Sequence, residues 1–293
     1  MIHLEEREWL PRRAAHERRV DSWTRHRLQR RRLGQEHPVD DFLFTYYSTR
    51  PGRLRVWHPG LGVQLSGGAA AEYLQIKGYR RTPGGVTADP SMFASRAESA
   101  RWIQGLVAET LHREPSFGCF GMHEWAMVYR SDEDDIRHPT WPLRLPAGAI
   151  AEVVEEQGLR CTHFDAFRFF TAEAAPLNAL PLTRVGQRAF EQPGCLHANM
   201  DLYKWSRKLS PLTSSDLVAD SFELARDIRT LDMQASPYDL TELGFPPVCV
   251  ETVQGQAEYV VAQRAFTVRA QELRRRLLSE LDSIVPNLVA TTA

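Results

Sequence analysis

The segment that most constrains the fold is an amphipathic stretch over residues 255–282. Apolar residues recur along it at helical spacing, so the pattern predicts one long helix that serves as scaffold. The residues that set the pattern include Val260, Val261, Phe266, Leu273, Leu277 and Leu281. Similar periodicity predicts helices over 92–112, 147–156 and 213–233, the last with a Ser-Ser-Asp start typical of a helix cap. The chain is therefore expected to be mainly helical.

Glycines and short β-like runs are concentrated between Gly60 and Ala88. The runs cover residues 62–65, 74–79 and 85–87, and turn signals separate them. Two or three short antiparallel strands fit this pattern. We therefore expect an α+β fold, mainly helical with a small antiparallel sheet.

The beginning of the sequence is strongly basic. Residues 3–33 are predicted to form a helix interrupted near Pro11, and the first 33 residues hold ten Arg against five acidic residues. Such a helix could contact phosphates or an acidic face of the same protein. Because Gly34 ends this segment, we expect a basic N-terminal helical segment over 1–36 and a single compact domain over 37–293.

Composition places the chain among ordinary globular proteins, with 43% hydrophobic and 25% charged residues. A net charge of -1 gives no overall attraction to nucleic acid or membrane. No stretch reaches the roughly 18 to 20 apolar residues of a membrane span, and the first residues lack the plan of a secretory signal. The four cysteines are too few for a disulfide framework. We expect a cytoplasmic protein with free thiols and no membrane partner.

Three segments combine a histidine with a carboxylate. They are 121–125 (GMHEW), 161–165 (CTHFD) and 194–204 (GCLHANMDLYK). In the third, His197 and Asp201 are four residues apart and share one helix face. The sequence thus predicts one polar site built from the ends of three elements.

Metal binding is one hypothesis for this site. His123, His163 and His197 are suitable ligands for Fe, Zn or Mn when a carboxylate completes the set. The spacing is not diagnostic, because no His-Glu-x-x-His or Cys-x-x-Cys pattern is present. Under this hypothesis the protein is a metal-dependent hydrolase or oxygenase that acts on a small molecule.

Acid–base or electrostatic catalysis without a cofactor is the other chemical hypothesis. Glu124, Asp165 and Asp201 lie among aromatic residues, where desolvation raises the pKa of a carboxyl group unless a cation supports the charge. Lys204 follows Asp201 by three residues, so it could hold a phosphate or keep that acid ionised. In a third hypothesis these polar residues have a structural role only: they cap helices and form hydrogen bonds within the core.

Several strings carry a resemblance to a known group. Residues 118–129 (GCFGMHEWAMVY) and 163–170 (HFDAFRFF) are similar to an actinobacterial group labelled 3-methyladenine DNA glycosylase. The same holds for the strings 42–51, 57–60, 195–204 and 231–240, and the likeness extends over about residues 38–265.

The resemblance implies a DNA-repair N-glycosylase that releases an alkylated purine. Such an enzyme uses a carboxylate to stabilise the oxocarbenium-like state and aromatic faces to stack the extruded base. The aromatic candidates are Trp57, Trp125, Tyr129 and Tyr203, and the arginines of the N-terminal segment would contact the DNA backbone. This is our first functional prediction, with the metal-dependent enzyme as its alternative.

Overall fold

The computed structural model describes residues 1–131 and 141–290. The protein is mainly helical with one four-stranded sheet, which confirms the α+β prediction. The chain divides into two compact units. The first contains residues 1–108, 202–223 and 272–290, and the second contains 109–131, 141–201 and 224–271.

The sheet lies in the first unit and follows the order β1-β2-β4-β3. Its strands are β1 (Ile2–Leu4), β2 (Val63–Leu65), β3 (Tyr79–Thr82) and β4 (Gly85–Ala88). The pairs β2–β4 and β4–β3 are antiparallel, whereas β1 adds to β2 in parallel. The sequence predicted a helix from residue 3, but β1 occupies Ile2–Leu4. Three residues at the edge of a sheet are too few to give a periodic signal, so the strand was not predicted.

Helix α1 (Glu6–Arg32) follows β1 and continues through Pro11. The interruption predicted there was wrong. Pro11 lies in the second turn, so its ring costs the helix one N–H donor near an end that already has unpaired N–H groups. Glu5 and Glu8 form a reciprocal capping box at this end. On the buried face, Trp9 stacks on Trp57 with ring centres 6.5 Å apart.

Short helices and turns connect these strands to α4. The first unit contains α2 (Phe42–Tyr46), α3 (Pro51–Leu54) and 3-10 helices over Gly68–Gln75 and Pro90–Arg96. The strand expected over 74–79 begins only at Tyr79. Tyr73 is buried and donates a hydrogen bond from its hydroxyl to the Trp57 carbonyl. This bond ties the 3-10 helix Gly68–Gln75 to the segment around Trp57. Helix α4 (Ala97–His112) comes next.

Three long helices contribute residues to both units. They are α9 (Leu196–Lys208), α10 (Ser215–Gln234) and α11 (Val253–Ala290). The last is longer than the sequence predicted and continues through Pro286. In the part of the chain that the structure describes, no helix is both long and apolar enough to cross a membrane.

Part of the basic face of α1 is paired within the first unit. Arg19 donates to Asp220 at 2.7 Å and to Glu223 at 2.5 Å on α10. Arg30 binds Asp41 at 2.6 Å. Other arginines of the helix are exposed to solvent: Arg12, Arg18, Arg25, Arg31 and Arg32. Asp220, Glu223 and Asp41 thus neutralise some of the positive charge of α1.

The second unit consists of short helices around segments of the long ones. It contains α5 (Met122–Ala126), α6 (Ala147–Gln157), α7 (Phe164–Phe167), α8 (Gln187–Phe190) and 3-10 turns over Ala175–Leu177 and Thr241–Leu243. Trp125 is fully buried in its core. The Arg144 guanidinium lies 5.7 Å from the centre of the Trp125 ring and binds both carboxylate oxygens of Glu251.

Candidate metal centre

The three histidines predicted from sequence lie near one another in the second unit. The ring centre of His197 is 4.1 Å from that of His123 and 5.5 Å from that of His163. His123 belongs to α5, His163 precedes α7, and His197 lies in the first turn of α9. Three distant segments therefore bring imidazoles together.

Tight backbone approaches hold two of these segments in place. Gly121 starts α5 with a φ of 72°, a left-handed conformation that favours glycine. Gly194, which precedes α9, is closely packed. An added Cβ would lie 2.4 Å from the Ser116 carbonyl oxygen. Gln192 accepts hydrogen bonds from the backbone N–H groups of Ser116 and Gly194. These contacts fix where α9 begins, and with it the position of His197.

One group of possible metal ligands, which we call the His163 cluster, consists of His163, Glu191 and Asp201. The Nε2 atom of His163 is 3.3 Å from Glu191 Oε1 and 3.3 Å from Asp201 Oδ2. Two ligand atoms bound to one ion at about 2.1 Å, at angles from 90° to tetrahedral, lie roughly 3.0 to 3.4 Å apart. The separations therefore match those of ligands around a single ion.

The His163 cluster is deeply buried. His163, Glu191 and Asp201 are 0%, 2% and 1% exposed. Gln187 donates from Nε2 to Glu191 Oε1 at 2.5 Å, which orients that carboxylate. Charged side chains at such depth are found mostly in ion pairs or as metal ligands.

The second group, the His123 cluster, consists of His123, His197 and Asp232. His123 Nε2 is 3.2 Å from Asp232 Oδ2. Arg229 Nη1 donates to the same Asp232 oxygen at 3.2 Å and to Glu124 Oε1 at 2.6 Å. The other oxygen, Asp232 Oδ1, is buried and has no hydrogen-bond partner among the residues that the structure describes.

Charge and burial act in opposite directions on the pKa values of this cluster. Burial lowers the pKa of His123, but the Asp232 carboxylate outweighs it and holds that pKa well above its ordinary value. Burial, assisted by the charge of His123, lowers the pKa of His197 to about 3. Burial raises the pKa of Asp232, yet the neighbouring His123 makes the net shift downward. His197 is thus a neutral imidazole, the form that binds metals. His123, paired with Asp232, holds a proton that an incoming ion would have to displace.

Two buried cysteines near these clusters, Cys161 and Cys195, stay protonated. Burial raises the pKa of Cys195 to about 12 and that of Cys161 well above its ordinary value. Neither residue belongs to a group of converging ligands in the described ranges. Since metal-binding cysteines act as thiolates, these two cysteines do not supply donors to the clusters.

Glu124 and Asp165, two of the predicted catalytic acids, are engaged by arginines. Glu124 is held by Arg229. Asp165 is bound by Arg184 at 2.6 Å and lies 3.3 Å from Arg168. The third acid, Asp201, belongs to the His163 cluster.

The predicted aromatic residues of the second unit have structural partners. Trp125 donates from its indole nitrogen to the Ala235 carbonyl at 2.9 Å. Tyr129 donates to Glu155 at 2.7 Å. Both rings are almost fully buried, so in this structure their faces are covered by protein.

The remaining predicted residues belong to the first unit. Trp57 packs on Trp9, as described above. The hydroxyl of Tyr203 is 2.8 Å from that of Thr49. The ammonium of Lys204 lies 4.3 Å from the centre of the Trp205 ring.

Sequence reasoning missed Glu191, Arg229 and Asp232. A signal existed for the last two, because they lie on the buried face of α10 with Ala225 and Ile228. A charged residue at an apolar-face position is uncommon and points to a paired or ligating group. Glu191 lies in a proline-rich stretch without periodicity, so no pattern marked it.

Comparison with known proteins adds no further assignment. No protein-family model, curated protein or solved structure matches the chain. The resemblance described from the sequence therefore stays a prediction, and the geometry of the two clusters carries the functional argument.

Proposed function

We propose that the protein is a metal-dependent enzyme acting on a small molecule, with a divalent ion held by His163, Glu191 and Asp201. One observation carries the proposal. The imidazole nitrogen of His163 is 3.3 Å from an oxygen of each carboxylate, and all three residues are buried.

The donor set indicates which ions suit the site. One imidazole and two carboxylates are suitable ligands for Fe(II), Mn(II) and Zn(II). They are a poorer match for copper sites that are rich in thiolate ligands. Three protein ligands leave open positions on the ion for water or substrate. With zinc or manganese, an open position supports activation of water for hydrolysis. With iron it supports reaction with oxygen, so the identity of the ion separates the two reaction classes.

Metal analysis of the purified protein tests this proposal. We expect a stoichiometric transition metal in the wild type and its loss in His163→Ala and in Asp201→Asn. The matched control is His16→Ala, which removes another buried histidine, one whose Nε2 contacts the Leu54 carbonyl in the first unit. A metal-free wild type, or equal metal content in all the variants, would refute the proposal.

The DNA N-glycosylase remains our second proposal. Its support is the sequence resemblance together with exposed arginines of α1, among them Arg12, Arg31 and Arg32, which could contact phosphates. A metal-free protein that releases free base from methylated DNA, and loses this activity in Asp201→Asn or Glu124→Gln, would favour it. Weaker DNA binding after replacement of Arg31 and Arg32 by Ala, at low salt, would identify the DNA-binding surface.

We also propose a cytoplasmic location. The four cysteines are free thiols in the structure, and free thiols are typical of reducing compartments. Fractionation of cells that produce the protein tests this part of the proposal.

A further inference from the structure

We propose that the His123 cluster binds a second divalent ion and that the two clusters form one dinuclear centre. The inference rests on the proposed function, since it takes the His163 cluster as the first site. The donors of the second site are one nitrogen each from His123 and His197 and a carboxylate oxygen of Asp232.

The arrangement of donor atoms supports the second site. The candidate ligand atoms of these three residues all lie within 4.8 Å of one another, and His123 Nε2 is 3.2 Å from Asp232 Oδ2. Ligand atoms on one ion are separated by about 3 Å when adjacent and about 4 Å when opposite. Small movements of the side chains, together with release of the His123 proton, would place all three around an ion.

The unpartnered oxygen of Asp232 is an independent reason to expect a cation. Asp232 is 1% exposed, and its Oδ1 has no hydrogen-bond partner among the described residues. A buried carboxylate oxygen without a partner is costly and calls for an explanation such as a bound ion. An ion in the His123 cluster would supply that partner.

Arg229 acts as a positioning residue in this arrangement. Its Nη1 contacts Oδ2 of Asp232 and Oε1 of Glu124, so it fixes the orientation of both carboxylates. Glu124 Oε1 is 3.6 Å from His123 Nε2, so Glu124 is a further oxygen donor close to the second site. Contacts of this type tune the affinity of a metal site from outside its ligands.

Helix α9 joins the two sites. His197 and Asp201 are one turn apart and belong to different clusters. The His197 ring meets the His123 ring nearly at right angles and stacks at 28° on the His163 ring. Two ions bound by these ligands are therefore neighbours, which is the arrangement used by enzymes that hold an attacking and a leaving oxygen between two metals.

Titration of chelator-treated protein with Mn2+ tests the proposal. We expect two ions per chain in the wild type, with an electron paramagnetic resonance spectrum that shows coupling between them. His197→Phe keeps an aromatic ring but removes the nitrogen donors, and Asp232→Asn weakens the carboxylate ligand. Each of these variants should bind one ion with an uncoupled spectrum.

Glu251→Gln is the matched control, because it alters a carboxylate of the same unit that is paired with Arg144 and lies outside both clusters. It should retain two ions. One ion in the wild type and in His197→Phe would overturn the dinuclear centre and leave the proposed function intact. No bound ion in the wild type would refute both. The wild-type count decides the question even if a variant does not fold.

Discussion

The imidazole of His197 stacks on that of His163, with ring centres 5.5 Å apart and planes inclined by 28°. The other neighbour of this ring is His123, which meets it nearly at right angles. His197 is partly exposed, whereas His163 and His123 are buried. Of these three histidines, His197 is therefore the one with partial exposure to solvent.

Metal removal is expected to destabilise the protein. An ion that binds only the folded state, present at about 100 times its dissociation constant, adds roughly 2.7 kcal/mol. For a chain of this size we expect the melting temperature to fall by roughly 5 °C when a chelator is added. Differential scanning calorimetry with and without EDTA measures the shift. His163→Ala should respond less to the chelator, and an equal response would argue against binding at that cluster.

Replacement of Gly194 by Ala should disturb the start of α9. The new Cβ would lie 2.4 Å from a backbone oxygen, so the backbone has to move. Overpacking of this kind costs about 1 to 3 kcal/mol, measured by urea unfolding. Gly148→Ala is the control, because nothing lies within 4 Å of its added Cβ and alanine favours the helix. Equal stability of the two variants would contradict the close packing before α9.

Acid should destabilise the first unit through His58. Burial, with a small contribution from His16, lowers the pKa of His58 to about 4. Because this pKa is below the unfolded value of about 6.5, the folded state favours the neutral ring. The stabilisation is complete above pH 6.5 and is lost as the pH falls toward 4.

The effect of His58 amounts to at most about 1.4 kcal/mol per pH unit, and its partial exposure reduces that figure. Urea unfolding at a series of pH values measures it. His58→Gln should give a flatter dependence between pH 6.5 and 4 than the wild type. The exposed His26→Gln serves as control, and the same slope in all three proteins would exclude His58 as the source.

The ion pair between Arg19 and Asp220 should make a modest contribution to stability. Both side chains are about one third exposed, so solvent screening limits their coupling to roughly 0.5 to 1 kcal/mol. A double-mutant cycle with Arg19→Ala and Asp220→Ala measures this energy. Arg12→Ala, at an exposed position of the same helix, should change stability by less than about 0.5 kcal/mol. Additive effects of the two substitutions would show that the pair is not coupled.

Helices with a sustained apolar face were the most predictable part of the fold. Residues 97–112, 147–157, 215–234 and 253–290 are helical close to where the periodicity indicated. Strand β1 was not predictable, because its three residues form a strand through pairing with β2. The interruption predicted at Pro11 was also wrong, because the effect of a proline on a helix depends on its distance from the helix end.

The sequence located only part of the candidate site. His123, His163, His197 and Asp201 were marked by the pairing of imidazoles with nearby carboxylates. Asp232 is 109 residues away from His123 in the chain, and no local pattern encodes a contact over that distance. Partners of this kind become visible only when the packing of the helices is known.

The order of these residues along the chain has a consequence for biosynthesis. The His163 cluster is complete in sequence once Asp201 has been made, but the His123 cluster waits for Asp232, about four-fifths of the way along the chain. A ribosome-bound chain that stops between these two positions holds every donor of one cluster and lacks one donor of the other. The two sets of ligands are therefore synthesised one after the other. A nascent chain of that length would assemble the His163 cluster before the His123 cluster has all its ligands.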